Sequence, residues 1–280
     1  MELSADNKLI NGFWISPNGK PLSALERLCI YSFCANGHDF RLWTYGELKN
    51  VPQDTIGGRV EVCDAREILP PHKTLINKGR LAHFSDWFRW ALMYKQGGWY
   101  VDMDVVCLRP FQFEEEMVFS KETDKNMNSG LLKCPAGHFL AEKMIEASAH
   151  PDRIMPWDKG RYIWRKYKRR ARFWRNSHTL LSLGELSGPV GLTRAAYYYG
   201  LEHHAVPFWY FEPIPWINFQ ETTDDSLHQR EMLTPLLAHS FAIHMYHSMW
   251  AGMDTNGEFH PNSPFEVLKQ RYLPERVKKD

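Results

Sequence analysis

The sequence predicts an α/β domain built on a doubly wound central sheet flanked by helices, with a helical and irregular C-terminal part. Three observations predict it. The chain opens with a strand–helix–strand pattern over residues 9–45, the beginning of a doubly wound arrangement. A long amphipathic helix at 81–96 then runs into Gly97-Gly98 and a short apolar strand, Trp99-Tyr100-Val101. That strand leads into Asp102-Met103-Asp104, and carboxylates at i and i+2 of an extended segment point to the same side.

Each element has its own local signal. Residues 9–15 read as a buried strand, and Ser16-Pro17-Asn18-Gly19 as a turn. Leu22, Leu25, Leu28, Cys29 and Ser32 have helical spacing, with Asn36-Gly37 as the expected C-cap. Residues 40–45 form a second strand, 60–65 a shorter third, and Pro70-Pro71 marks a loop. On the 81–96 helix, Leu81, Phe84, Trp87, Phe88, Ala91 and Leu92 share a core face. Asp86 and Arg89, three apart, are neighbours on a flank, where a structural ion pair competes with a functional role. The strand is expected to continue from Val105 to Leu108. Residues 128–133 are a further strand and 137–149 a helix. Gly188-Pro189-Val190-Gly191 falls in a less regular second half, and 236–250 is a late strand-like run.

Bulk properties narrow the class. The 280 residues are 44% hydrophobic and 24% charged, which describes a globular chain rather than a disordered one. No apolar run approaches the ~18 residues of a membrane span, and the first residues lack the layout of a signal peptide. Five cysteines without a CxxC pair predict reduced thiols and a cytoplasmic location, not structural zinc. The net charge is +1 but unevenly spread. Between Arg161 and Arg175 lie eight Lys or Arg and no acid, interleaved with Tyr162, Trp164, Tyr167, Phe173 and Trp174. A solvated helix face is one reading. A patch for anionic headgroups or a phosphorylated acceptor, peripheral at the inner membrane face, is another. No nucleic-acid module surrounds the stretch, so nucleic acid is not an expected partner.

A lone D-x-D is weak evidence. Joined to Gly97-Gly98-Trp99-Tyr100-Val101, with Ser85-Asp86 and Arg89 one helix upstream, it becomes specific. With these motifs go Phe13-Trp14-Ile15, Leu25-Glu26-Arg27-Leu28, Ser32-Phe33, Asn36-Gly37-His38-Asp39-Phe40 and Asp64-Ala65. Later come Asn128-Ser129-Gly130, Gly188-Pro189, and His244 with Ser248-Met249-Trp250. Together they resemble the DXD-containing retaining glycosyltransferases of the fungal α-mannosyltransferase, α-1,4-galactosyltransferase and capsular polysaccharide type. The glucosylating clostridial toxins are distantly similar. The resemblance is dense before residue 135 and patchy after it.

That resemblance implies a GT-A fold spanning 1–280 as a single domain. Its nucleotide-sugar half would be about 1–135 and its acceptor half about 136–280. It implies Mn²⁺ or Mg²⁺, a nucleotide diphosphate sugar (UDP before GDP), and a glycan or glycolipid acceptor in surface polysaccharide or lipopolysaccharide assembly. By position, Asp102 and Asp104 match the metal-binding carboxylates, and His244 a late histidine completing the metal shell. Trp14 matches a base-stacking aromatic and Tyr100 a nucleoside contact. Asp86 and Arg89 match the residues on the hexose hydroxyls and diphosphate, with Asn128 a further sugar or nucleotide contact. Ser248 and Trp250 match a Ser-x-Trp that closes over the diphosphate. Asp86, Arg89, Asp104 and Trp250 are the expected catalytic residues. Hard carboxylates suit such a cation, and a divalent ion, Arg89 and the Trp250 N–H would all oppose charge on the departing phosphate.

Two other functions use the same residues. A haloacid-dehalogenase-type phosphatase also places D-x-D after an apolar strand, with Asp224-Asp225 as its later acidic pair. That motif opens its domain, however, whereas about a hundred residues precede Asp102 here. A catalytically dead carbohydrate- or lipid-binding module is the other, and the intact carboxylates argue against it.

Overall fold

After one helical turn, a strand, a helix and a strand open the chain, as the patterning requires. The structure, a computed structural model, describes residues 3–16, 19–77, 80–172, 178, 182, 184–250 and 253–274. In chain order the elements begin with α1 (Ala5–Lys8), β1 (Leu9–Trp14), α2 (Ala24–Ala35), β2 (Asp39–Thr44), β3 (Val60–Asp64) and α3 (Lys73–Asn77). Next come α4 (Leu81–Gln96), β4 (Gly98–Val101), β5 (Val105–Cys107), β6 (Val118–Lys121), β7 (Met127–Cys134) and α5 (Phe139–Ala149). The last are α6 (Arg161–Ala171), α7 (Pro189–Tyr199), α8 (Ser226–Gln229), α9 (Leu233–His239), β8 (Ala242–His244) and α10 (Pro264–Tyr272). The fold is α/β with mixed strand pairing, and it divides into two compact units that interleave along the chain. Unit one holds Met1–Cys63, Val101–Glu114 and Pro207–Asp280; unit two holds Asp64–Tyr100 and Glu115–Val206.

In unit one β1 and β2 run parallel, from Leu9 opposite Asp39 to Trp14 opposite Thr44, with β3 beside β2. Helix α2 connects them. Ser23 and Glu26 close a reciprocal capping box at its start, and every residue from Ala24 to Cys34 is buried. Such all-round burial explains a helix that is apolar on more than one face. β5 pairs antiparallel with β8, Val105 opposite His244. Leu25, Leu28, Ile243, Met245, Trp250 and Phe265 belong to the core that this pair and α2 share.

In unit two β6 and β7 are antiparallel, with a register shift between Phe119 and Ser120, and β4 lies beside β7. Helix α4 packs on α5, and α7 on β7. Gly97 and Gly98 take φ +67° and +82°, left-handed values that favour glycine. A Cβ at Gly97 would also lie 2.5 Å from the Ala136 amide nitrogen. The helix therefore stops and the strand starts within two residues.

Several expectations need correction. Residues 102–104 are a turn, closed by Val105 N–H on the Asp102 carbonyl at 3.1 Å, so a turn and not extended backbone presents the two carboxylates. β5 is not a continuation of β4, because it pairs with β8 in a separate two-stranded sheet. The buried arc of α4 is wider than the sequence stripe. It adds Trp90, Met93, Asp86 and Arg89 and leaves Leu81 and Trp87 partly exposed. The 236–250 run holds the end of α9, a three-residue strand and a 3₁₀ turn (His247–Met249), not one long strand. α7 was hidden because Gly188-Pro189 reads as a loop, yet Pro at N1 begins a helix well.

All five cysteines are thiols. Cys29, Cys34, Cys107 and Cys134 are buried and Cys63 is partly exposed. Burial pushes Cys34 up to about 11 and Cys134 to about 12. Among the described residues no helix is long and apolar enough to cross a membrane.

His38 is fully buried in unit one against Phe33 and Phe111. Its Nδ1 lies 2.8 Å from the Asn7 carbonyl, and its Nε2 accepts the Phe111 N–H at 3.0 Å. One acceptor and one donor define a neutral ring with the proton on Nδ1. Burial, helped by Lys8, lowers its pKa from 6.5 to about 4. The unfolded chain therefore binds a proton first, and stability falls as pH drops from 6.5 towards 4, by up to about 3 kcal/mol from this ring. Urea denaturation between pH 7 and 4.5 should show that loss, with the His38 ring NMR signals not titrating above pH 5.

Candidate active site

Helical spacing brings Asp86 and Arg89 to adjacent positions on α4, and the packing of unit two encloses them. Arg89 is 3% and Asp86 8% exposed. Arg89 Nη1 donates to Asp86 Oδ1 at 2.8 Å and to Ser129 Oγ, on β7, at 2.6 Å. Its guanidinium carbon stands 4.7 Å over the Tyr100 ring. Tyr100 is fully buried beneath that cation. Asn128, also buried, accepts the Gly130 N–H at 2.7 Å. A Cβ at Gly188 would overlap the Asp86 carboxylate, so the N-terminus of α7 approaches that anion closely, where the helix dipole favours negative charge. The result is a fixed carboxylate–guanidinium pair suited to gripping hydroxyls or a phosphate.

Unit one holds the second cluster. His244 Nε2 lies 3.2 Å from Asp104 Oδ1, and the His247 backbone N–H donates to Asp104 Oδ2 at 2.8 Å. On its other side, His244 Nδ1 lies 3.2 Å from Glu212 Oε2. Burial opposes charge on both Asp104 and His244, but each outweighs that cost for the other. His244, with the His247 N–H, pulls Asp104 down to about 2. Asp104 and Glu212 hold the imidazole well above the usual histidine value. The flanking His247 ring lies 3.8 Å from the buried Glu26 carboxylate. It also faces the Trp14 indole, with centroids 6.5 Å apart and planes 23° from parallel.

Of the other expected residues, Trp14 is partly exposed and Ser248 exposed. Trp250 is 2% exposed and packs edge-on to Phe259 and Phe265. The indole nitrogens of Trp14 and Trp250 are buried without a hydrogen-bond partner among the described residues. Ser129, Glu212 and Tyr246 escaped sequence reasoning. Ser129 sits inside a motif that drew attention to Asn128, and Glu212 lies in an aromatic run with no motif around it.

Among the described residues no three of His, Cys, Asp or Glu form a ready-made metal cage. The donor set nonetheless fits a hard divalent ion, which is commonly held by one or two carboxylates plus phosphate and water oxygens. The Glu212–His244 contact has the form of a carboxylate orienting a metal-binding imidazole. Ligation through Nε2 would require loss of its proton, leaving the Nδ1–H on Glu212.

The basic stretch is helical over Arg161–Ala171; Phe173, Trp174 and Arg175 lie outside the described residues. It is not a uniform charged face. Lys166 (1% exposed) and Arg169 (3%) turn inward. Lys166 lies 3.7 Å from Asp158, and Arg169 and Arg165 pair with Glu185 at 3.0 and 2.8 Å. Burial lowers Lys166 to about 8. Lys166 and Arg169 are therefore committed inside unit two, and the partly exposed Arg165 is tied to the buried Glu185. Arg161, Trp164, Tyr167, Lys168, Arg170 and Arg172 remain exposed.

Residues 64–125 match a known family, the glycosyltransferase sugar-binding region containing DXD motif. Asp86, Arg89, Asp102 and Asp104 lie inside that match. Among solved structures, the chain is similar to PaToxG glycosyltransferase (16% identity, 69% of each chain, TM-score 0.47). It is also similar to the apo form of the glycosyltransferase GlyE in Streptococcus pneumoniae (12% identity, 98% of this chain and 62% of that one, TM-score 0.47). A third is the UDP-bound glycosyltransferase domain from the YGT toxin (10% identity, 71% and 79%, TM-score 0.46). No curated protein matches the chain.

Breaking a buried ion pair strands its partner. Arg89→Ala should destabilise the protein by about 3 kcal/mol or more. Arg89→Lys should cost less but more than a surface change, since an ammonium cannot copy the planar fork. Urea denaturation of the two variants checks both.

Proposed function

We infer that the protein is a glycosyltransferase that moves a hexose or N-acetylhexosamine from a nucleotide diphosphate sugar, uridine-linked, to a glycan acceptor, retaining the anomeric configuration. The observation that carries the reading is Asp104. Inside the DXD region, it is a carboxylate with one oxygen against His244 and the other on the His247 N–H, held ionised at about 2. Asp102 and Asp104, with His244 through Nε2, would hold Mn²⁺ or Mg²⁺. When bound, that ion supplies positive charge against the diphosphate that leaves.

The chain's own residues have distinct parts in this reading. Asp86 accepts from hexose hydroxyls while Arg89, fixed by Ser129 and Tyr100, opposes the phosphate charge. Rigid placement means that no reorganisation is needed as charge develops. The half-exposed Trp14 indole offers a flat face for the base. The Trp250 N–H, without a partner among the described residues, is a donor that a phosphate oxygen would satisfy, with Ser248 beside it in sequence. In this reading Asn128, on β7, contacts the sugar or nucleotide, and Tyr100, fully buried beneath Arg89, acts through that cation. Departure and attack on the same face of the sugar fit the absence of an assigned carboxylate nucleophile. Mass-spectrometric capture of a glycosyl-enzyme would contradict that route.

The acceptor reading is a surface polysaccharide or lipopolysaccharide glycan, met at the inner face of an anionic membrane in the cytoplasm. The exposed side of α6 supports it, because Arg161, Lys168, Arg170 and Arg172 flank Trp164 and Tyr167 there without an acid.

Asp102→Asn and Asp104→Asn should each lower Mn²⁺-dependent hydrolysis of UDP-sugars by about 100-fold or more, measured by UDP release. Full activity in both variants rejects the reading. Converting Arg161, Lys168, Arg170 and Arg172 to Gln should weaken sedimentation with phosphatidylserine vesicles about tenfold or more. Melting temperature should not change, since none of these four joins the buried pairs.

A further inference from the structure

His244 ends β8, and the ring of Tyr246, two residues on, stacks against its imidazole. Their rings lie 4.3 Å apart and 29° from parallel. Both reach one carboxylate, Glu212, which is itself 1% exposed. His244 Nδ1 lies 3.2 Å from Glu212 Oε2, and the Tyr246 hydroxyl hydrogen-bonds the same oxygen. That hydroxyl also lies 2.9 Å from the Ile214 carbonyl, so its single proton is shared between two acceptors.

The backbone of Tyr246 is not extended. It takes φ +54° and ψ +48°, the left-handed region where a Cβ is crowded. Two other non-glycine described residues do so, Asn50 and Glu231. Both are exposed, whereas Tyr246 is 5% exposed. The reversal has a visible result at Asp104. Met245 N–H donates to the Asp104 carbonyl at 2.9 Å, and His247 N–H to its Oδ2 at 2.8 Å. With His244 on Oδ1, the two histidines hold that carboxylate from both sides and Met245 holds the backbone of the same residue, while Tyr246 is where the chain bends between them.

We propose that Tyr246 is a positioning residue of the donor site: its hydroxyl, anchored on Glu212 and the Ile214 carbonyl, holds the left-handed turn that fixes both oxygens of Asp104. The proposal rests on the reading of Asp104 as a metal-binding carboxylate. Tyr246→Phe removes the hydroxyl and keeps the ring. Its direct Mn²⁺ affinity, from the electron paramagnetic resonance of free Mn²⁺ without any sugar donor, should fall about tenfold, as for other groups that orient a ligand from behind. Turnover at saturating Mn²⁺ should stay within twofold of the parent, and the metal-free melting temperature within a few degrees. Glu212→Gln, which keeps the shape and removes the anion, should give the same loss of affinity. It decides the matter if Tyr246→Phe does not fold. Parent Mn²⁺ affinity in Tyr246→Phe overturns the proposal. A matched fall in melting temperature and in turnover at saturating Mn²⁺ also overturns it, since that is the mark of lost packing. The Asp104→Asn control separates the two ideas. If the parent binds Mn²⁺, Asp104→Asn does not and Tyr246→Phe does, the positioning role alone falls. If the parent binds none, the donor-site reading falls first.

Discussion

A carboxylate largely withdrawn from water must meet donors, and Asp104 meets them on both oxygens. His244 covers one, and the His247 N–H, 143 positions along the chain, covers the other. Neither donor can be supplied locally, because residues 102–104 are a tight turn with their own backbone bonds. The chain must therefore bring β8 beside β5, and the register of that short pair sets where the histidine lands. The order of the late chain follows. Glu212 has to be near to orient His244, and the residues after β8 have to reverse direction. A single ionised group accounts for the shape of a segment that sequence patterning leaves almost featureless.

Unit two solves the same problem with different chemistry. Its buried charges come in closed sets: Asp86 with Arg89 and Ser129, Asp158 with Arg194 and Lys166, Glu185 with Arg165 and Arg169. A buried pair is weak evidence for net stability, but it does specify geometry, since each partner has one place to go. Arg194 shows this. It reaches Asp158 at 2.6 Å and the Glu185 carbonyl at 2.6 Å, while its guanidinium sits 3.6 Å from the Tyr162 ring centroid. One side chain thus ties α7 to α6 and to the loops before each.

Legibility in the sequence tracks the range of the interactions. β1, α2, β2 and α4 were readable because their signals are local: apolar runs, capping residues and a Gly-Gly stop. The D-x-D and the Asp86/Arg89 pair stood out because fixed spacing accompanies them. What escaped depends on distant partners. Lys166 and Arg169 look like solvent-facing charge until Asp158 and Glu185 fold over them. Glu212 has no neighbour in sequence that hints at His244. Tyr246 gave no warning at all, since left-handed backbone is anticipated at Gly or Asn and not at a buried aromatic. The turn at 102–104 reads as extended because two carboxylates one residue apart follow an apolar strand, and the Val105 N–H bond to the Asp102 carbonyl that closes it has no sequence signature.

The thiols carry a consequence of a different kind. Four of the five are sealed in the interior, and burial holds all four above the ordinary thiol range, so little thiolate exists to react. Cys63 is the exception in exposure. The molecule thus has built-in chemical clocks in both units: Cys29, Cys34 and Cys107 in one, Cys134 in the other. Alkylation at each of them reports how often its surroundings open, and whether the two units breathe together or apart.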